Sequence, residues 1–168
     1  MSMTNANEPL IPLKILYICT HNRCRSALSE AITNQLGKGL LVAKSAGSQP
    51  AGAVHPLTLK YLTQAGYDIA GLTSNSWQDT DYMGNFKPDV VITVCDNAAG
   101  ESCPLWLGAT PKLHWGLTDP SKDTTDEATT AANFQQAITA IEQRVTKLLA
   151  VTQLPLDQRL KALTELTQ

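Results

Sequence analysis

The sequence predicts an α/β domain, a doubly wound four-stranded parallel sheet with helices on both faces. Three observations predict it. Short aliphatic runs alternate with helical periodicities, the pattern of strands joined by crossover helices. The run Val90-Val91-Ile92-Thr93-Val94 is β-branched throughout, as expected of a strand buried on both faces. Residues capable of chemistry recur just past strand ends, at Cys19, Ser45 and Cys95 and toward Asp119, where open α/β sheets bind ligands.

The elements follow in order. Residues 1–12 read as a flexible arm with Pro9 and Pro12 near its end, residues 13–150 as the folded domain and residues 151–168 as an amphipathic tail. Lys14 to Ile18 form the first strand, and a helix over Ala27 to Ile32 and beyond stops near Gly37 and Gly39, natural C-cap residues. Leu40 to Lys44 form a second strand running into Ser45-Ala46-Gly47. Pro56 opens a helix that Leu57, Leu59, Tyr61, Leu62 and Ala65 carry to Gly66. A short helix is expected around Ser76 to Met83, a strand over Asp89 to Val94, and a fourth strand over Lys112 to Trp115. Thr124, with Glu127 three residues later, forms a capping box. Behind it Ala131, Phe134, Ile138, Ile141, Val145 and Leu148 keep helical spacing. After Pro155 the tail carries Leu156, Leu160, Leu163 and Leu166, which dock on the domain or on a second copy.

With 168 residues, 43% hydrophobic and 17% charged, the chain can bury a real core. A net charge of −2 excludes a general attraction to nucleic acid or to an anionic membrane. No apolar run approaches a membrane span and no secretory leader is evident at the start, so a cytoplasmic location is expected. Four cysteines in such a chain point to catalysis, redox chemistry or metal binding rather than structural staples.

The stretch Cys19-Thr20-His21-Asn22-Arg23-Cys24-Arg25-Ser26 lies between the first strand and the first helix. A strand, a tight polar loop and a helix point backbone N–H groups and the positive helix end into the loop, which suits a tetrahedral oxyanion. Residues Thr20 to Ser26 form the oxyanion-binding set, with the Arg25 fork gripping two oxygens. The cradle is expected to lower the Cys19 thiol pKa. Ser26 is placed to hydrogen-bond the sulfur, and Asn22 tolerates a left-handed backbone. Cys24 reads as inert packing. His21, Arg23 and Lys44 are further candidates for positive potential or are solvated surface, and His55 and His114 carry no assigned chemistry.

Cys95 and Cys103 bracket a polar, glycine-containing loop suited to thiol–disulfide exchange. The competing readings are unpaired core thiols and a four-cysteine zinc site. The Cys19-x4-Cys24 and Cys95-x7-Cys103 spacings are longer than zinc sites prefer, so no metal and no cofactor is expected. Asp119-Pro120 is either a turn or, at the mouth of an anion loop, a general acid.

Cys19-x5-Arg25-Ser26 with Asp119-Pro120 resembles the signature of the low-molecular-weight tyrosine phosphatases. Cys95, Cys103, Ser45-Ala46-Gly47 and His114-Trp115-Gly116 look like the thioredoxin-coupled arsenate reductases built on that fold, over about residues 14 to 150. The resemblance implies a relay: Cys19 attacks arsenate held by Arg25 and loop amides, Asp119 protonates the departing oxygen, Cys95 attacks Cys19, and Cys103 attacks Cys95. Thioredoxin is the implied reductant, with glutathione and glutaredoxin used by some relatives. In some members Asn22, Glu30, Ser45 and an Asp bind potassium; Asn75 stands in the place of that Asp, so potassium dependence is expected to be weak or absent. The alternatives are a phosphatase using Cys19, Arg25 and Asp119 alone, and a non-catalytic oxyanion or redox sensor. Against the phosphatase, Ser121-Lys122-Asp123 follows Asp119-Pro120 where phosphatases usually place tyrosines.

Overall fold

The computed structural model describes residues 11–95, 110–122 and 124–166. Most of the expected N-terminal arm, and Cys103 with the loop that precedes it, lie outside the described residues. Strands β1 (Leu13–Ile18), β2 (Leu41–Ala46), β3 (Val90–Thr93) and β4 (Lys112–His114) form one parallel sheet in the order β2-β1-β3-β4. The order reverses at β1, so the segment leaving β1 falls in the crevice at the carboxyl edge. Ile15, Leu16, Val90, Val91 and Ile92 are fully buried. Adjacent strand residues point to opposite faces, so both faces must be covered. Each such side chain contributes about 1.5–3 kcal/mol of transfer free energy.

The helices are α1 (Arg25–Gly37), α2 (Pro56–Gln64), α3 (Thr80–Met83), α4 (Glu127–Thr152) and α5 (Leu156–Thr164). α1 buries Ala27, Leu28, Ala31 and Ile32 together with small hydroxyl residues. Those hydroxyls are satisfied locally: Ser29 Oγ donates to the Arg25 carbonyl at 2.8 Å, and Thr33 Oγ1 pairs with the buried Tyr17 hydroxyl at 2.7 Å. Lys38 (φ 48°), between the two expected glycines, takes the left-handed cap of α1. Gly37 serves packing instead, since a Cβ there would lie 2.5 Å from Leu41 Cβ.

Two local expectations are corrected. Asp126, not Thr124, caps α4, its carboxylate accepting from Thr129 N–H at 2.7 Å and Thr129 Oγ1 at 2.9 Å. A charged acceptor at the positive helix end outcompetes a hydroxyl further upstream. The helix expected over Ser76 to Met83 is the single turn α3, capped by Asp79. The backbone of the preceding residues is spent on β2's exit: Gly47 bridges to Ser76, and Trp77 N–H donates to the Gly47 carbonyl at 3.2 Å.

The apolar face read from Phe134 to Leu148 is buried as expected, with Phe134 stacked on Tyr61 at 4.8 Å. In α5 Leu163 is buried whereas Leu156 and Leu160 are exposed. The buried Arg159 donates to three main-chain carbonyls, those of Ile11 (2.8 Å), Thr152 (2.9 Å) and Leu154 (3.4 Å), binding α5 to the start of β1.

Candidate active site

The Cys19–Ser26 loop is shaped by hydrogen bonds on its outer side. Thr20, His21 and Arg23 carbonyls accept from the backbone N–H groups of Gln49, Ala51 and His55, each at 2.9 Å. Ser74 Oγ also donates to the His21 carbonyl and Thr58 Oγ1 to that of Arg23. With its carbonyls drawn outward, the loop presents amides to the sulfurs: Thr20 N–H donates to Cys95 Sγ at 3.4 Å, and the His21 amide favours charge on Cys19. This is a nest of donors at a helix N-terminus whose first turn holds no acidic residue.

Asn22 is fully buried in the left-handed conformation expected of it, φ 47°. Its Nδ2 donates to Ser26 Oγ (2.8 Å) and Ser45 Oγ (2.9 Å), and its Oδ1 accepts from Asn75 N–H (2.7 Å). Ser45 Oγ in turn donates to Glu30 Oε1 at 2.6 Å. The four residues named for the potassium site of relatives thus converge behind the loop, bonded to one another. Burial pushes the Glu30 carboxyl up to about 7, against the lowering effect of its Ser45 bonds and Lys44.

Cys19 and Cys95 are both buried thiols at this loop, Cys95 Sγ lying 3.4 Å from Thr20 N and 3.8 Å from Thr20 Oγ1. This overturns the expected lowering of Cys19. Interaction with the neighbouring Cys95 thiol, then burial and the Cys95 charge, push the Cys19 thiol above its ordinary value, while Arg25 and the His21 amide pull it down. Two sulfurs share one electropositive loop, and a thiolate on either opposes a second. Cys24 is buried as expected. Burial pushes it up to about 11, opposed by a Thr58 hydrogen bond.

Asp119 reaches the loop from the segment after β4. Its carboxylate accepts from Ser121 N–H (2.9 Å) and Ser121 Oγ (2.7 Å) and lies 3.9 Å from Arg25 Nη2. Burial would raise its pKa; the two Ser121 bonds, Arg25 and Arg23 outweigh burial and hold it below the usual value. Arg25 Nη1 also donates to the Leu117 carbonyl at 3.0 Å, fixing the fork at the mouth.

His21 and Arg23 are exposed at the loop, the His21 ring bonded to the Gln49 carbonyl. Lys44 lies elsewhere, donating to the Tyr82 carbonyl with its ammonium over the Tyr82 and Phe86 rings. His55 caps α2 and His114 pairs with Thr93 Oγ1, both structural placements. Sequence reasoning missed Ser121, Tyr82 and the reason for Gly47. A Cβ on Gly47 would meet the Cys19 and Thr20 carbonyl oxygens at 2.4 Å, so only glycine lets β2's exit lie against the loop. The spacing Asp-Pro-Ser was a signal for Ser121, as a hydroxyl two residues on closes an Asx-type turn; nothing local pointed to Tyr82.

Fold and site together define an α/β protein that gathers a thiol, a guanidinium and backbone amides in one loop at a helix N-terminus, with a carboxylate at its mouth. The chain belongs to the low-molecular-weight phosphotyrosine protein phosphatase family, whose profile matches residues 14–162 and so runs into α5. It is 33% identical over 133 residues to the arsenate reductase of Bacillus subtilis (strain 168), covering 79% of this chain and 92% of that protein. Its fold is similar to that of an arsenate reductase in the phosphate binding state, with 27% identity, a TM-score of 0.65, and coverage of 82% of this chain and 97% of that one. It is also similar to the thioredoxin-dependent arsenate reductase of Corynebacterium glutamicum, with 27% identity, a TM-score of 0.61, and coverage of 84% and 63%.

Proposed function

We propose that this chain reduces arsenate to arsenite through the thiols of Cys19, Cys95 and Cys103. The observation that carries the reading is a second buried thiol at the nucleophile's own loop, Cys95 Sγ accepting from Thr20 N–H at 3.4 Å. Phosphate-ester hydrolysis gives a second thiol no work, whereas a redox relay requires it at attacking distance.

Cys19 thiolate attacks arsenic, and an As–O bond breaks with the oxygen leaving as water. Arg25 and the loop amides carry the oxyanion charge, and Asp119 supplies the proton. The charge of the incoming oxyanion works against the lowering of Asp119 by Ser121 and Arg25, so the proton affinity of the carboxyl rises as substrate arrives. Cys95 thiolate then attacks Cys19 sulfur; the S–As bond breaks, its electron pair stays on arsenic, and arsenite leaves as a Cys19–Cys95 disulfide forms. Since the loop supports one thiolate at a time, the charge resides on Cys19 for the first step and on Cys95 for the second. Cys103 attacks Cys95, restores Cys19 and leaves a Cys95–Cys103 disulfide for an external dithiol. Thioredoxin is the reductant we assign, supported by the thioredoxin-dependent structural relative.

The test is arsenite formation by the reduced protein in a single turnover, with disulfides mapped by mass spectrometry. Stoichiometric arsenite with a Cys95–Cys103 disulfide is expected, and Cys95→Ser should stop after the Cys19 adduct. Failure to form arsenite, with ester hydrolysis intact and insensitive to Cys95→Ser, would make the protein a phosphatase.

A further inference from the structure

The polar cluster behind the loop contains one side chain that the relay does not use. Tyr82 rides on α3, whose first N–H groups are capped by Asp79 Oδ1 at 3.1 and 3.2 Å. The approach to that turn is sewn to the rear of the loop: Gly47 N–H donates to the Asn75 carbonyl at 2.8 Å and Asn75 N–H to Asn22 Oδ1 at 2.7 Å. The Tyr82 hydroxyl accepts from Ser45 N–H at 3.2 Å and lies beside the Glu30 carboxyl and the Asn75 side chain. From the other side the Lys44 ammonium donates to the Tyr82 carbonyl and lies 4.6 Å from its ring centroid. One hydroxyl is therefore bonded to β2 at the point where β2, α1 and the 73–76 segment meet.

We propose that Tyr82 is a positioning residue for the Cys19–Ser26 loop, holding Ser45 and Glu30 in the orientation that fixes Asn22. The inference rests on the reading of that loop as an oxyanion site. Asn22 stays left-handed because its side chain is bonded to Ser26, Ser45 and Asn75 at once. Removing the Tyr82 hydroxyl leaves the Ser45 N–H without that acceptor and takes a polar neighbour from the Glu30 carboxyl. The Ser45 hydroxyl then turns, the Asn22 side chain loses a fixed acceptor, and the loop amides lose their common direction. Tyr82 touches no reacting atom; it acts through Ser45.

The experiment is calorimetric titration of inorganic phosphate into the reduced wild-type protein and into Tyr82→Phe, which keeps the ring beneath Lys44. The dissociation constant should rise about three- to tenfold in the variant, with the thermal midpoint held within about 2 °C. In a Ser45→Ala background the same change should add little, because both act along one path. An unchanged dissociation constant, a fully additive loss, or an affinity loss matched by a collapse in thermal midpoint would each overturn the positioning role. If wild-type protein itself bound no phosphate, the oxyanion reading would fall and this inference with it, a result distinct from the other three.

Discussion

The two ends of the sheet handle buried polarity in opposite ways. At the carboxyl edge the polar groups of Asn22, Ser26, Ser45 and Glu30 bond mainly to one another, side chain to side chain, and hold a loop in a rare backbone conformation. At the amino edge Arg159 spends its guanidinium on three main-chain carbonyls from two distant parts of the chain. The first arrangement orients donors toward a shared point; the second closes the fold. Polar burial that shapes a site is thus separable from polar burial that holds a domain together.

The sharpest way to break the comparison is to strike each end once. Cys19→Ser should lower arsenate turnover by roughly 10⁴-fold or more, with urea unfolding unchanged, since the sulfur supplies chemistry and little packing. Arg159→Met should do the reverse. It leaves buried carbonyls without donors and should cost about 2 to 4 kcal/mol in urea unfolding, with kcat at 20 °C near wild type. Loss of kcat in the folded Arg159→Met protein would mean that the two ends are coupled.

A third, smaller effect concerns pH. Glu30 is raised from 4.5 to about 7. A carboxyl raised on folding adds stability that is complete below its unfolded value and lost as pH rises through its folded value. Unfolding free energy should therefore fall between pH 4.5 and 7 by about 2 to 3 kcal/mol on account of this group. Glu30→Gln should flatten that part of the curve; equal slopes in the two proteins would remove Glu30 as the cause.

What could be read from the sequence was what is local in it. The strand, loop and helix around Cys19 lie in one continuous stretch, so the cradle and its left-handed Asn22 were legible, as was the apolar face of α4. The direction of the Cys19 shift was not, because it depends on the Cys95 sulfur arriving from another strand. Tyr82 was invisible for the same reason, since its partner Ser45 and its neighbour Glu30 lie on two other elements. The cap of α4 moved from Thr124 to Asp126 because two acceptors compete within three residues, and pattern alone does not rank them. Asp119 was legible as a candidate, but not the Ser121 bonds that keep it ionised.

Gly47 carries a consequence for how this protein can change. The carbonyl oxygens 2.4 Å from its imagined Cβ belong to Cys19 and Thr20, backbone that cannot swing aside as a side chain would. Mutational tolerance around the nucleophile is therefore one-sided. The outward faces at His21 and Arg23 can drift, and with them the preference for what approaches the mouth. The wall behind stays closed to every other amino acid, so new specificities in this lineage must be selected from the front.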